Sequence, residues 1–321
     1  MQKIYKIYAT SLLTLALVVH IITASQKTTA TEEQKMKKTL SIILAVAMIT
    51  VCVFALASCN SGDKAKFGVQ SGTTGFSFMA GDEDWGFAGY KNVEVLPYDN
   101  AGLAVTELIN GNLDYVVIDA DVAKSLVASN AGTKCIDIAL TTESYGIAVD
   151  KNQTELLESI NQVLADKKAD IDAIFAKYEN VDDTNSANWT GTTIPAGTYD
   201  SSKDQLVVVT NAAFAPFEFV VGNNFAGIDM EIAKLIADTL GMELVIQNIE
   251  FDAITASLGK DGVDIGIAGM TINAARSKVV NFSTPYYTDA YQVLIVKEDN
   301  TLFDDCKTTE DVLAKMDELN K

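Results

Sequence analysis

Arg276 is the only arginine in the chain. A guanidinium can meet a carboxylate through two parallel hydrogen bonds, a geometry that lysine cannot reproduce. Arg276 is therefore the one side chain suited to bidentate recognition of a carboxylate. Thr73 and Thr74 lie in the glycine-flanked turn Ser71–Gly75, whose backbone amides could face an anion. The Lys-Ser/Thr ending of a phosphate loop is missing there. Asp119 closes the apolar run Leu113–Asp119 (LDYVVID), and Glu218 is a second carboxylate of note. Either carboxylate could serve as an acid or base. Read alone, each residue also has a plainer use. Arg276 could sit in a surface salt bridge, Asp119 in a solvated turn and the GTTG stretch in an ordinary turn. The single histidine, His20, lies in the apolar N-terminal region. Beyond that region, Ser-His-Asp catalysis, Cys-His catalysis and histidine-ligated metal sites are excluded, so neither a metal nor another cofactor is expected.

The elements that must position these residues alternate between strand and helix patterns. Strand candidates are Lys66–Gln70, Leu113–Asp119, Tyr145–Val149, Leu206–Thr210, Leu244–Gln247, Val263–Ala268 and Gln292–Val296. Helical spacing marks Leu103–Ile109, Leu156–Lys177, Asp229–Leu240, Phe251–Leu258 and Thr308–Leu319, with Thr308 as an N-cap and Gly241 as a stop. Glu179–Lys203 is polar and reads as a linker. Short strands alternating with helices predict an α/β fold with mainly parallel sheets. The two halves echo each other. Leu108-Ile109-Asn110-Gly111 leads to a strand ending at Asp119, and Leu258-Gly259 leads to one ending at Gly269. Ligands bind at the carboxyl ends of such strands, so two facing units would build a cleft.

The net charge of −19 repels nucleic acid and anionic lipid headgroups, and no nucleic-acid partner is expected. Met36-Lys37-Lys38, an apolar stretch and Leu56-Ala57-Ser58-Cys59 form a secretory signal. The LASC ending resembles a bacterial lipobox, which implies lipidation of Cys59. Residues 1–35 read as a misassigned extension upstream of a true start at Met36, 36–58 as the signal and 59–65 as a tether. Cys135 and Cys306 could pair in an exported protein, but their positions in sequence fix no geometry.

The stretches LVVVTNAAFAPFEF (Leu206–Phe219), KFGVQSGTTG (Lys66–Gly75) and GMTINAARSK (Gly269–Lys278) together resemble the type 2 periplasmic solute-binding proteins of polar amino-acid ABC importers. The resemblance covers most of Lys66–Lys321, with its halves in inverted order. In that family the Leu206 stretch opens the domain and the Lys66 stretch comes midway. The resemblance therefore implies a circularly permuted, two-lobed clamp with a two-strand hinge. Residues 66–140 and 301–321 would form lobe 2. Residues 141–178 and 204–300 would form lobe 1, with crossovers near Thr142–Val149 and Val296–Asn300, and 179–203 would be the linker.

The resemblance further implies a ligand set. Arg276 and Thr271 would take the carboxylate of an amino acid and Asp119 its ammonium. Gly269 and Ala268 would add backbone groups, and Thr73 and Thr74 an amide turn. Phe214 and Phe251 would cover the side chain, with Gln70 as a further amide contact. Asn211 occupies a position that is often acidic in binders of cationic amino acids, which favours a neutral ligand, glutamine first. The expected function is an exported lipoprotein, anchored at the outer face of the cell membrane, that binds a polar amino acid without catalysis and delivers it to a membrane permease. The rival readings are a non-functional or domain-swapped fusion of binding-protein halves, and an enzyme of the same fold such as a dehydratase.

Overall fold

Apolar runs long enough to be buried on both faces decide the centres of two sheets in the computed structural model, which describes residues 64–321. Tyr115–Asp119 and Gln205–Thr210 are buried at every position. Each becomes an inner strand, as continuous apolar strands do in parallel sheets. The expectations for Cys59, the signal and residues 1–35 lie outside the described residues.

The first sheet has the order Glu94–Tyr98, Lys66–Gln70, Tyr115–Asp119, Gln292–Lys297, Thr133–Ile136. Its first three strands are parallel, and Gln292–Lys297 runs antiparallel to both of its neighbours. The second sheet has the order Glu243–Asn248, Gln205–Thr210, Ile265–Gly266, Ala148–Asp150, Val280–Phe282. Again three parallel strands come first and an antiparallel strand follows. In each sheet that antiparallel strand has just crossed over from the other lobe. Two lobes with this exchange constitute the two-lobed α/β architecture.

Alternation sorts the core of the first sheet. Val116 and Ile118 face the helix Ala101–Asn110 with Ala104 and Leu108, while Tyr115 and Val117 pack on the other face with Val312 and Met316. Helix ends follow local chemistry. Asn100 accepts the amide of Leu103, and Gly111 ends that helix at φ 82°. Thr308 and Asp311 form a reciprocal capping box on the helix Thr309–Leu319. Leu156–Lys177 resolves into two helices, Thr154–Asp166 and Lys168–Tyr178.

Two of the expectations need correction. The second crossover is not at Val296–Asn300. It is at Tyr287–Ala290, which pairs antiparallel with Glu143–Tyr145 to form the hinge. Gln292–Lys297 already belongs to the first sheet, buried between Tyr115–Asp119 and Thr133–Ile136. An apolar strand buried on both faces reads the same in either lobe, so the pattern could not assign it. Residues 179–203 are also more than a linker. Trp189 stacks on Tyr178 at 4.8 Å, and Ile194 pairs with Phe225, adding a fourth strand to a small antiparallel sheet. One tryptophan and one isoleucine are enough to dock an otherwise polar strap. The strap also reaches lobe 2, where Ser125 Oγ donates to Asp183 Oδ1 and accepts from Asp183 N.

The helix Thr309–Leu319 finishes beside the start of the first sheet. Asn92 donates its backbone N–H to Asn320 Oδ1 at 2.8 Å and its side-chain amide to Asn320 O at 2.7 Å. Two residues on, Glu94 pairs with Lys66. Cys135 and Cys306 are free thiols.

Candidate functional site

The carboxyl ends of the inner strands of both sheets converge on one interlobe cavity. It is lined by Gln70, Thr73, Thr74 and Asp119 from lobe 2 and by Asn211, Phe214, Glu218, Phe251, Gly269, Thr271 and Arg276 from lobe 1. Ten of the eleven residues expected to bind ligand meet there. Ala268 does not. It is buried in the lobe 1 core with Val207 and Met270. About 10 Å³ of the cavity can hold a water's centre, which is room for about one water molecule. The clamp is closed, and an amino acid can enter only if the lobes part.

Arg276 opens a one-turn helix, Arg276–Val279, with its own N–H on Asn273 Oδ1. Its guanidinium donates to Thr271 O at 2.8 Å within lobe 1 and to Gly72 O at 2.9 Å across the cleft. Burial pulls its pKa down to about 10, against the opposing pull of Glu143 and Asp119, so it is cationic at neutral pH. Two of its five donors are used, and three remain for a ligand.

Glu143, on the hinge strand, joins the lobes. Its Oε2 accepts from Thr74 Oγ1 at 2.7 Å and from Thr271 Oγ1 at 2.6 Å, one from each lobe. Asp119 accepts from the hydroxyl of Tyr145. Burial first, and the charge of Glu143 second, raise Asp119 to about 7. The Thr73 hydroxyl is occupied locally, donating to Gln70 O and accepting from Phe76 N. Gly269 stands at φ 54°, and a Cβ there would come within 2.8 Å of the Phe214 ring, so only glycine fits.

Asn211 is committed on both sides. Its oxygen accepts from Gln70 Nε2 at 2.9 Å, and its amide donates to Ile249 O at 2.8 Å. Glu218 is 1% exposed, and its carboxyl pairs with the buried carboxyl of Asp229 through a shared proton. Burial, then the charges of Asp229 and Asp119, hold its pKa well above the usual carboxylate range. Asp229 beneath it accepts from Gly269 N and the Tyr286 hydroxyl, and burial raises it to about 7.

The resemblance-derived ligand set did not contain Glu143, Tyr145, Glu218 or Asp229. For Glu218 a signal exists, a lone carboxylate within an aromatic run. Glu143 sits among Thr and Ser, where nothing marks burial. Chemically, the cavity offers one guanidinium, the carboxyl of Asp119 and the Glu218–Asp229 carboxyl pair, groups that suit a zwitterionic ligand.

Residues 206–320 match the bacterial extracellular solute-binding proteins, family 3. This segment, about a third of the chain, is similar to that family, and the chain folds as the two-lobed α/β architecture described above. The arginine-binding extracellular protein ArtP of Bacillus subtilis (strain 168) is 37% identical over 101 residues, 32% of this chain and 39% of that protein. The L-cystine-binding protein TcyJ of Escherichia coli (strain K12) is 31% identical over 111 residues, 34% of this chain and 41% of that protein. Among solved structures, the arginine-bound form of domain 1 from TmArgBP is 34% identical with a TM-score of 0.26, covering 38% of this chain and 98% of that one. The matched segment spans about two fifths of the length of these curated relatives.

Proposed function

We propose that this protein captures a cationic amino acid, arginine first, between two closing lobes and hands it to the permease of an ABC importer. The observation that carries this reading is the buried Glu218–Asp229 carboxyl pair at the same interlobe cavity that the lone guanidinium lines. The α-carboxylate would pair with Arg276 and the α-ammonium with Asp119. Glu218 would take the side-chain cation, with Phe214 and Phe251 covering the aliphatic stem. Asn211 pointed to glutamine, but its amide is already satisfied by Gln70 and Ile249. The buried Glu218–Asp229 pair is the stronger determinant, because an arriving cation would favour its charged form, whereas the Asn211 amide already has both of its partners. The arginine-binding relative supports the same choice.

Export, with a lipid on Cys59, belongs to this reading, as does the inverted order of the halves as a circular permutation. The meeting of Asn320 with Asn92 supports the permutation, because ends that lie close together make reordering tolerable. A thermal-shift screen of the twenty amino acids on the purified protein tests the ligand. Arginine, and more weakly lysine, should raise the melting temperature, since ligand that binds only the native state stabilises it. A larger shift with glutamine would overturn the role of Glu218, and no shift with any amino acid would overturn the binding reading. Recovery of chemically altered ligand would favour the dehydratase alternative.

A further inference from the structure

A second interlobe contact closes over the guanidinium from outside. The loop Gly81–Phe87 of lobe 2 is a tight hairpin, held by Asp82 N to Phe87 O and Phe87 N to Asp82 O, both at 2.9 Å. Phe87 anchors it, edge-on to Phe78 at 5.5 Å, and Trp85 lies against Phe87. From this base Trp85 reaches across the cleft. Its ring lies 5.0 Å from the centre of the Arg276 guanidinium, and the Phe251 ring of lobe 1 lies 5.1 Å away. Beside it Asp84 pairs with Lys278 of lobe 1 at 2.6 Å. That pair is exposed and weak, so it orients the hairpin more than it holds it.

We propose that Trp85 is a lid on the carboxylate end of the site, a positioning residue that closes over Arg276 and sets how long a bound amino acid stays. The inference rests on the binding reading above. Phe251 belongs to the same lobe as Arg276 and touches it whether the clamp is open or closed. Trp85 belongs to the other lobe and reaches the guanidinium only on closure. Its contact therefore favours the closed state alone, which is the condition for shifting that equilibrium. By screening the guanidinium from water, it also strengthens the pairing of Arg276 with a carboxylate. Capture happens in the open clamp, where Trp85 is remote. Its loss should therefore raise the off-rate and spare the on-rate.

Two measurements test this. The first needs no ligand. With Trp189→Phe, Trp85 becomes the sole tryptophan of the chain. Acrylamide should then quench its emission about twofold more strongly when Arg276→Ala removes the partner that fixes the ring. Equal quenching with and without Arg276 would overturn the contact, whether or not any amino acid binds. The second follows displacement of arginine by stopped flow. Trp85→Ala should release arginine about tenfold faster, with the on-rate within about threefold, and Trp85→Phe should restore most of the residence time. Affinity for argininamide, which lacks the carboxylate, should change little. An off-rate within about twofold of the parent in folded Trp85→Ala would overturn the lid. Equal losses for arginine and argininamide would do the same. If the parent binds no arginine while the quenching difference holds, the binding reading fails and the contact stands.

Discussion

At the scale of single residues, the proposed chemistry depends on two groups that cannot be exchanged for relatives of equal charge or shape. Arg276→Ala would leave a ligand carboxylate unpaired in a closed cavity, and calorimetry should read a loss of about two to four decades in affinity. Arg276→Lys keeps the charge but not the planar fork, so at least about tenfold should still be lost. Glu218 makes a second prediction. Burial holds it protonated in the closed clamp, and an arriving cation reverses that balance. Binding should therefore release protons, seen as a dependence of calorimetric heat on buffer ionisation enthalpy. Glu218→Gln should remove part of that release and weaken arginine more than glutamine. Arg276 was legible in the sequence because it has no competitor and sits in a motif. Glu143 was not, because its importance comes from two threonines, Thr74 and Thr271, that are close only after the lobes meet. Asn211 lines the cavity, as expected, but its side-chain amide is engaged by protein groups. Its residue type suggested a ligand contact, while its partners, Gln70 and the carbonyl of Ile249, are protein groups supplied by the fold.

At the scale of elements, periodicity located the inner strands and most of the longer helices, missed the helices Thr74–Ala80 and Ala120–Ser129, and could not assign Gln292–Lys297 to a lobe. Four consecutive buried apolar residues carry no face preference, and partner choice is then set by the antiparallel neighbours. The strap 179–203 was missed for the opposite reason. Its composition is that of a loop, and its order depends on Trp189 lying on Tyr178 and edge-on to Phe219. Trp189→Ala should destabilise the protein by about 2 kcal/mol, less than a fully buried tryptophan because the residue is half-buried. Denaturant melts should register this, and limited proteolysis should cut within Glu179–Lys203 faster than in the parent. An unchanged melt would mean that the strap contributes nothing to the fold.

At the scale of the whole molecule, the buried carboxylates set the direction of the pH dependence. Asp119 and Asp229 are raised to about 7 and Glu218 well above the usual carboxylate range, against about 4 in an unfolded chain. Between those values the folded state holds more protons than the unfolded state. These groups therefore make stability fall as pH rises from about 4 through about 7. The net charge of −19 adds repulsion in the same sense. Without ligand, the urea midpoint should be higher at pH 5 than at pH 8, and Asp229→Asn should flatten the slope. An opposite slope would mean that these groups are ionised and paired in the folded state.

The order of the halves is also a property of the whole molecule. The helix Thr309–Leu319 ends against Asn92, and Asn92 lies two residues before the partner of Lys66 in the sheet. Joining Lys321 to Lys64 therefore needs only a short connection. A new break within residues 196–204 falls in exposed chain, beyond the strap's anchors at Trp189 and Ile194. A rearranged chain running from Ser201 through Lys321, then from Lys64 through Pro195, keeps every strand pairing in both sheets. It should be monomeric by light scattering, melt within about 5 °C of the parent and bind the same amino acid. A domain-exchanged dimer, or an insoluble product, would mean that the present order contributes something the contacts do not contain, such as a folding route that closes lobe 2 before lobe 1 is complete.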